Sequence, residues 1–308
     1  MMPRNLVQDL FRVDGMVAVI TGGGSGLGLY AARALDANGA KAVYIVGRRD
    51  GALFEAAKSA TNGNIIPVVA DVTDKASLTA LADRVREEHG YVNFLFANAG
   101  VLGPKLSDYL PKKAPGEKPT IQELQEALWE PSMTEFTNAL HTNCTGTFYT
   151  IAAFLDLLDA GTKKRNLPSD AQILVTSSVS ALSRNLASGF AYSVSKAGVS
   201  HLVKMISTLC AQNQYRIRCN TIVPGIYPSE MTKDSMASLD KFPGVEGHEQ
   251  YFTDASVLTA DKTPAERSGS EEDFAGAILF LASRAGAYIN GECLLSDGGR
   301  LAQLPATY

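Results

Sequence analysis

Cysteine is scarce in this chain, and no two cysteines are spaced as a redox couple or metal clip. The four are Cys144, Cys210, Cys219 and Cys293, with no C-x-x-C among them. Scattered free thiols fit a reducing cytosol, so the cytoplasm is the expected compartment. Histidine is as rare. His89, His141, His201 and His248 show no H-E-x-x-H or comparable spacing, so no metal site is expected. No apolar run approaches the roughly 18 residues of a membrane span. Met1–Leu10 holds one arginine and a short apolar stretch broken by Gln8 and Asp9, which is not a secretory signal. The last residues, Pro305 to Tyr308, carry no retention or peroxisomal address. Positive charge is short as well: 28 Lys+Arg stand against 32 Asp+Glu, a net charge of -4. That balance argues against a general nucleic-acid binder while leaving room for a local basic pocket.

What is present is a chain able to fold. Of 308 residues, 45% are hydrophobic and 19% charged, which excludes disorder as the main state. Short β-branched runs alternate with longer amphipathic stretches. The expected strands are Met16–Thr21, Ala42–Val46, Ile65–Ala70, Asn93–Ala97, Gln172–Thr176, Arg218–Val223 and Glu292–Leu295. The expected helices are Leu27–Ala37, Gly51–Ala60, Lys75–Glu88, Met133–Leu158, Phe190–Gln212 and Glu271–Ser283. This alternation, with near-continuous apolar strands, predicts α/β architecture. We expect one domain over 1–308, a doubly wound parallel sheet of about seven strands with helices on both faces. Two segments break the rhythm. Residues 101–132 read as an extended loop and helix insertion, in which Thr120–Glu123 and Ser132–Glu135 fit capping boxes and predict a helix near Ile121–Trp129. Residues 226–267 mix Gly, Pro and aromatics and read as a lid.

The first strand runs straight into Gly22-Gly-Gly-Ser25-Gly26-Leu27-Gly28, and a helix follows. Between a first strand and a first helix, such a loop lets backbone approach a pyrophosphate at a helix N-terminus. About 20 residues on, where an acid usually holds the ribose hydroxyls of NAD, stands Gly47-Arg48-Arg49. No carboxylate is there to repel a 2′-phosphate, and Arg48 can pair with one through its planar fork. The pattern points to NADP(H) ahead of NAD(H), which Asp50 keeps in contention.

Tyr192 and Lys196 fall one turn apart on the helix Phe190–Gln212 and share a face. A cation beside a phenol favours phenolate and lowers its pKa from near 10. Ser178 follows the fifth strand, with Ser177 and Ser180 as neighbours of the same chemistry. A hydroxyl at that end of the sheet can donate to a substrate oxygen.

The spacing Thr21-Gly22-x-x-x-Gly26-x-Gly28 resembles the short-chain dehydrogenase/reductase family, and the likeness runs from about Gly15 to Gly299. By that resemblance Ser178, Tyr192, Lys196 and Asn143 form the catalytic set, with Asn143 supporting a water relay to the lysine. Asp71-Val72 then lies by the adenine, and Asn98-Ala99-Gly100 beside the cofactor. Pro224-Gly225-Ile226, with Ser229 where many members have Thr, flanks the nicotinamide. The segment Gly291–Gly299 resembles the family's C-terminal strand, and a homodimer or homotetramer is implied.

The function implied is NADPH-dependent reduction of a ketone or aldehyde, or the reverse. Two other jobs fit the same scaffold: an NADP(H)-binding regulator without turnover, and a non-redox dehydration or cyclisation. The partner expected is a small molecule, with neither nucleic acid nor membrane. Ile226, Tyr227, Met231, Met236, Leu239, Phe242, Tyr251 and Phe252 either line a pocket for a bulky apolar or aromatic carbonyl compound or form the lid's own core.

Overall fold

A computed structural model describes residues 5–307. Met1–Arg4 and Tyr308, on which parts of the leader and terminal-address readings fall, lie outside them. After a short helix α1 (Val7–Leu10) the first half alternates as β1 (Val17–Thr21), α2 (Gly26–Ala37), β2 (Ala42–Gly47), α3 (Asp50–Lys58), β3 (Ile65–Val69), α4 (Lys75–Glu88) and β4 (Phe94–Ala97). The second half runs α5 (Ile121–Trp129), α6 (Met133–Leu140), α7 (Thr147–Lys164), β5 (Gln172–Thr176), α8 (Phe190–Gln212), β6 (Arg218–Pro224), α9 (Lys233–Met236), α10 (Glu271–Ala282) and β7 (Cys293–Ser296). The seven strands make one parallel sheet in the order β3-β2-β1-β4-β5-β6-β7. The doubly wound α/β fold expected from the alternation is the one observed.

Strand periodicity divides the core into two layers. Val17 and Val19 join one cluster with residues of α4, α7 and α8. Ala18 and Ile20 join the other, with residues of α2, α3 and α10. Both faces are therefore buried, which is why the strands read as unbroken apolar runs. The winding reverses between β1 and β4. The carboxyl ends of the strands open into a crevice at such a switch point.

Both capping boxes form. Thr120 Oγ1 accepts from Glu123 N at 3.2 Å, and Ser132 Oγ accepts from Glu135 N at 3.1 Å. One expected helix does not form as read. Met133–Leu158 is not continuous: α6 stops at Leu140, His141–Gly146 is a π-helical turn, and α7 carries on to Lys164. Nothing in the local periodicity marks the extra residue of a π-turn. Here it accompanies a tertiary bond: Asn143 Oδ1 accepts from Val101 N at 2.8 Å, and its Nδ2 donates to Val101 O at 2.9 Å.

The β6–α10 connection is irregular. It holds α9, a 3₁₀ turn at Glu249–Tyr251 and two isolated bridges, Lys241↔Ser256 and Val257↔Arg267. The chain's last described residues fold back on the loop after β5. Arg184 N donates to Pro305 O at 2.7 Å, and Thr307 N to Leu182 O at 2.6 Å.

Candidate active site

The glycine loop is tight because its backbone touches itself. Gly22 sits at φ +65 and donates its N–H to Val46 O at 2.7 Å. A Cβ on Gly28 would stand 2.2 Å from Gly22 O, so no larger residue fits there. Ser25 precedes α2 in extended conformation and makes no capping bond. The first-turn N–H groups of α2 therefore keep their capacity to bind an anion. Asn98 locks the loop to the sheet. Its Nδ2 donates to Thr21 O at 3.1 Å and Gly22 O at 3.2 Å, while its Oδ1 accepts from Thr176 Oγ1 at 2.8 Å. Ala99 N donates to Thr21 Oγ1. The Asn98-Ala99-Gly100 turn thus joins the ends of β1, β4 and β5.

Two arginines follow β2. Arg48, 70% exposed, places Nη1 4.0 Å from Asp71 Oδ2. Arg49 Nη2 bonds Glu230 Oε2 at 2.5 Å, joining the segment after β2 to the one after β6. Asp71 Oδ1 accepts from Thr73 N and Oγ1, and these bonds hold its carboxyl below the ordinary value. Glu230 is lowered too, chiefly by the Arg49 hydrogen bond.

Ser178, at the end of β5, accepts from Ser180 N at 3.1 Å. Its neighbours are spent elsewhere. Ser177 Oγ donates to Lys196 O at 3.0 Å, and Ser180 Oγ to Ser188 Oγ at 2.9 Å. Burial raises the Tyr192 phenol above the ordinary value of 10, with the neighbouring Ser178 hydroxyl pulling down. Lys196 Nζ stands 5.6 Å from the centre of the Tyr192 ring and donates to Thr176 O at 2.8 Å. Burial pushes this ammonium from 10.5 to about 8. The net lowering of the phenol expected from the Tyr192–Lys196 spacing is absent: burial dominates, and the Lys196 ammonium is held by the Thr176 carbonyl. Asn143 is buried. Besides Val101, its Nδ2 donates to Ser195 Oγ at 2.9 Å.

A single cavity of about 630 Å³ runs past these groups, within the usual range for small-molecule sites. Gly22, Ser25, Gly26, Leu27, Arg48, Asp71, Val72, Asn98, Ala99 and Gly100 line it. So do Ser178, Tyr192, Lys196, Pro224, Gly225, Ile226 and Ser229. Two sequence-derived residues do not. Gly28 lies behind the loop, and Asn143 is one layer out, behind Gly100 and Val101. The apolar residues after β6 split. Ile226, Tyr227, Met231, Met236 and Leu239 line the cavity, while Phe242 and Phe252 pack edge-on at 5.3 Å under Arg267. Sequence reasoning missed Thr176, Glu230, Lys105, Lys262 and Arg300, all of which line the cavity. No local motif marks them, since each reaches it by tertiary contact.

A nicotinamide dinucleotide fits what is there: an uncapped helix start, a loop closed to any Cβ at Gly28, and arginines beyond β2. Among the described residues no helix is long and apolar enough to cross a membrane. A family model described as short chain dehydrogenase matches residues 16–240. The chain is 42% identical to "Short-chain dehydrogenase/reductase PhomF" of Diaporthe leptostromiformis, over 99% of this chain and 98% of that one. It is 29% identical to "Versicolorin reductase stcU" of Emericella nidulans, over 94% and 97%. Among solved structures, a Pseudomonas aeruginosa RhlG/NADP active-site complex superposes with a TM-score of 0.71 at 25% identity, covering 95% of this chain and 98% of that one. This protein belongs to the short-chain dehydrogenase/reductase family, an oxidoreductase family acting between CH–OH and C=O with nicotinamide cofactors.

Proposed function

We propose that this protein is an NADPH-dependent reductase of a fairly bulky ketone or aldehyde. The observation that carries the reading is the convergence of Ser178, Tyr192 and Lys196 on one wall of the cavity whose other wall is the glycine loop. The loop, the α2 start, Asp71, Asn98 and Pro224–Ile226 would hold the cofactor, with Arg48 on its 2′-phosphate. Arg49 is already neutralised by Glu230, which leaves Arg48 the freer fork. When bound, the reduced nicotinamide supplies a hydride.

The chain supplies position and the proton. Ser178 orients the substrate carbonyl by donating to its oxygen. Tyr192 gives its phenolic proton to that oxygen as negative charge develops on it. Lys196 stabilises the phenolate left behind. Asn143 acts from one layer out, holding the Gly100–Val101 wall and, with the π-turn, the water path toward Lys196. Ile226, Tyr227, Met231, Met236 and Leu239 form an apolar wall suited to a bulky or aromatic body, with 226–267 as the lid. The RhlG complex with NADP and the reductase named for versicolorin are in keeping with this reading. The exposed apolar Phe148, Met205 and Leu209 on α7 and α8 offer a face for the homodimer or homotetramer expected of the family. The four free thiols fit a cytoplasmic location.

Fluorescence titration with NADPH and with NADH, followed by a ketone panel, tests the reading. NADPH should bind the more tightly. Tyr192→Phe should keep that binding and lose about 10²–10⁴-fold in turnover. Normal turnover in the variant would remove Tyr192 as the acid. Binding of neither cofactor would overturn the reductase itself.

A further inference from the structure

Charge is distributed unevenly along the cavity. Asp71 and Glu230 are the only carboxylates in its lining among the described residues, and they face Arg48 and Arg49 respectively. On the Ser178–Tyr192 side the lining holds Lys105, Lys262 and Arg300, and none of the three forms an ion pair among the described residues.

These cations reach the cavity by tertiary structure. The backbone of Pro104–Lys105 packs against Gly189, which precedes the helix carrying Tyr192. Arg300 Nη1 donates to Lys262 O at 2.6 Å, fixing the guanidinium beside that lysine. Gln303 Nε2 donates to Ala260 O at 2.9 Å and repeats the clamp one turn on. Asp297, three residues before Arg300, is used by backbone: Oδ1 accepts from Gly299 N and Oδ2 from Leu301 N. Lys105 and Arg300 are partly buried, and Lys262 is exposed. Like charges lining one cavity repel each other and raise the local potential. An anion in the cavity removes that repulsion and gains charge-assisted hydrogen bonds. Apolar Met236, Leu239 and Leu304 line the same region.

We propose that the substrate is a keto acid: an apolar ketone bearing an anionic oxygen group, in its simplest form a carboxylate, held by Lys105, Lys262 and Arg300. This rests on the reductase reading for the position of the ketone. The anion site itself stands on the cavity alone.

The test compares aryl keto acids with their methyl esters, using benzoylpropanoate, benzoylbutyrate and benzoylvalerate as the acids. Calorimetry measures binding to the NADP⁺-loaded protein, and NADPH consumption measures turnover. For at least one chain length the acid should bind roughly 10-fold more tightly than its ester, as expected of a charge-assisted contact. That ratio should collapse toward unity in Lys262→Gln and in Arg300→Gln, and largely return in Arg300→Lys. Thermal melts check that each variant is folded, and exposed Lys262 gives the variant least prone to misfold. Equal binding of acid and ester at every length, or binding of neither, overturns the proposal. So does an acid preference that survives both charge removals. Equal protection by inorganic phosphate alone would make this a free-anion site and also overturn it. Acid binding that depends on Lys262, without NADPH consumption, would keep the anion site and sink the reductase reading instead. Turnover of acid and ester alike would do the reverse.

Discussion

Lys196 Nζ donates to the Thr176 carbonyl at 2.8 Å, anchoring the ammonium to the end of β5 as it passes the Tyr192 ring. Thr176 gives its own hydroxyl to Asn98, and Asn98 holds the carbonyls of Thr21 and Gly22. One chain of hydrogen bonds thus runs from the lysine to the glycine loop. It fixes the wall that carries Tyr192, the proposed proton donor, relative to the wall expected to carry the cofactor. Such preorganisation is what proximity contributes to a rate.

The buried Lys196 sets a pH dependence. Its proton leaves near pH 8, and with it goes the cation that stabilises a Tyr192 phenolate. Ketone reduction should lose kcat/KM as pH rises through about 8. Stability moves the other way. The folded value lies below the ordinary 10.5, so the unfolded chain binds more protons between the two values. This group's contribution therefore increases as pH rises through that window. Rate profiles and urea midpoints across the window check both signs. In Lys196→Met this part of the stability slope should vanish.

Ser178→Ala should cost roughly 100-fold in kcat, the scale of losing one donor to a developing oxyanion. It also removes the hydroxyl that draws the Tyr192 pKa down. Any limb of the pH profile due to Tyr192 should then move to higher pH, with cofactor affinity retained. An unchanged kcat would place Ser178 outside the chemistry.

Charge around the cofactor site gives opposite effects at two residues. Arg48→Gln should weaken NADPH binding roughly 10- to 100-fold, as expected for a charge-assisted bond to phosphate, and barely alter NADH. Glu230→Gln removes an anion and frees Arg49, so NADPH binding should tighten, more so at low salt. Fluorescence titration reads both. Weaker NADPH binding in Glu230→Gln would mean that the Arg49–Glu230 pair supports the site rather than competing for it.

Asn143→Ala leaves the N–H and C=O of part-buried Val101 without their side-chain partner. Two such groups should cost about 2–4 kcal/mol, readable as a lower urea midpoint. Ser195→Ala removes only one hydroxyl partner of Asn143 and should cost less.

Much of the architecture was legible because it is encoded locally. Lys75–Glu88, Ile121–Trp129, Gln172–Thr176 and Phe190–Gln212 end where periodicity and caps place them. The Thr120 and Ser132 boxes satisfy helix N–H groups within four residues, so sequence alone suffices to see them. The π-turn at His141–Gly146 was not legible. It is bound up with Val101, a contact 42 residues away from Asn143.

The same division holds at the site. Sequence by itself determined the strand–loop–helix unit, the doubly wound sheet and the Tyr192–Lys196 spacing, because each follows from neighbours in the chain and a fixed backbone period. Tertiary structure alone decided that Ser177 Oγ turns to the Lys196 carbonyl and Ser180 Oγ to Ser188, leaving free for the cavity the Ser178 hydroxyl that the family resemblance had singled out. It decided that Phe242 and Phe252 pack on each other, and that Glu230 meets Arg49 across 181 residues. It also brought Lys105, Lys262 and Arg300 to the lining of one cavity. Those outcomes depend on which distant backbone groups are left to accept or donate, and on how deeply burial shifts a charge. Neither quantity exists until the sheet has closed and the connections have settled over its carboxyl edge.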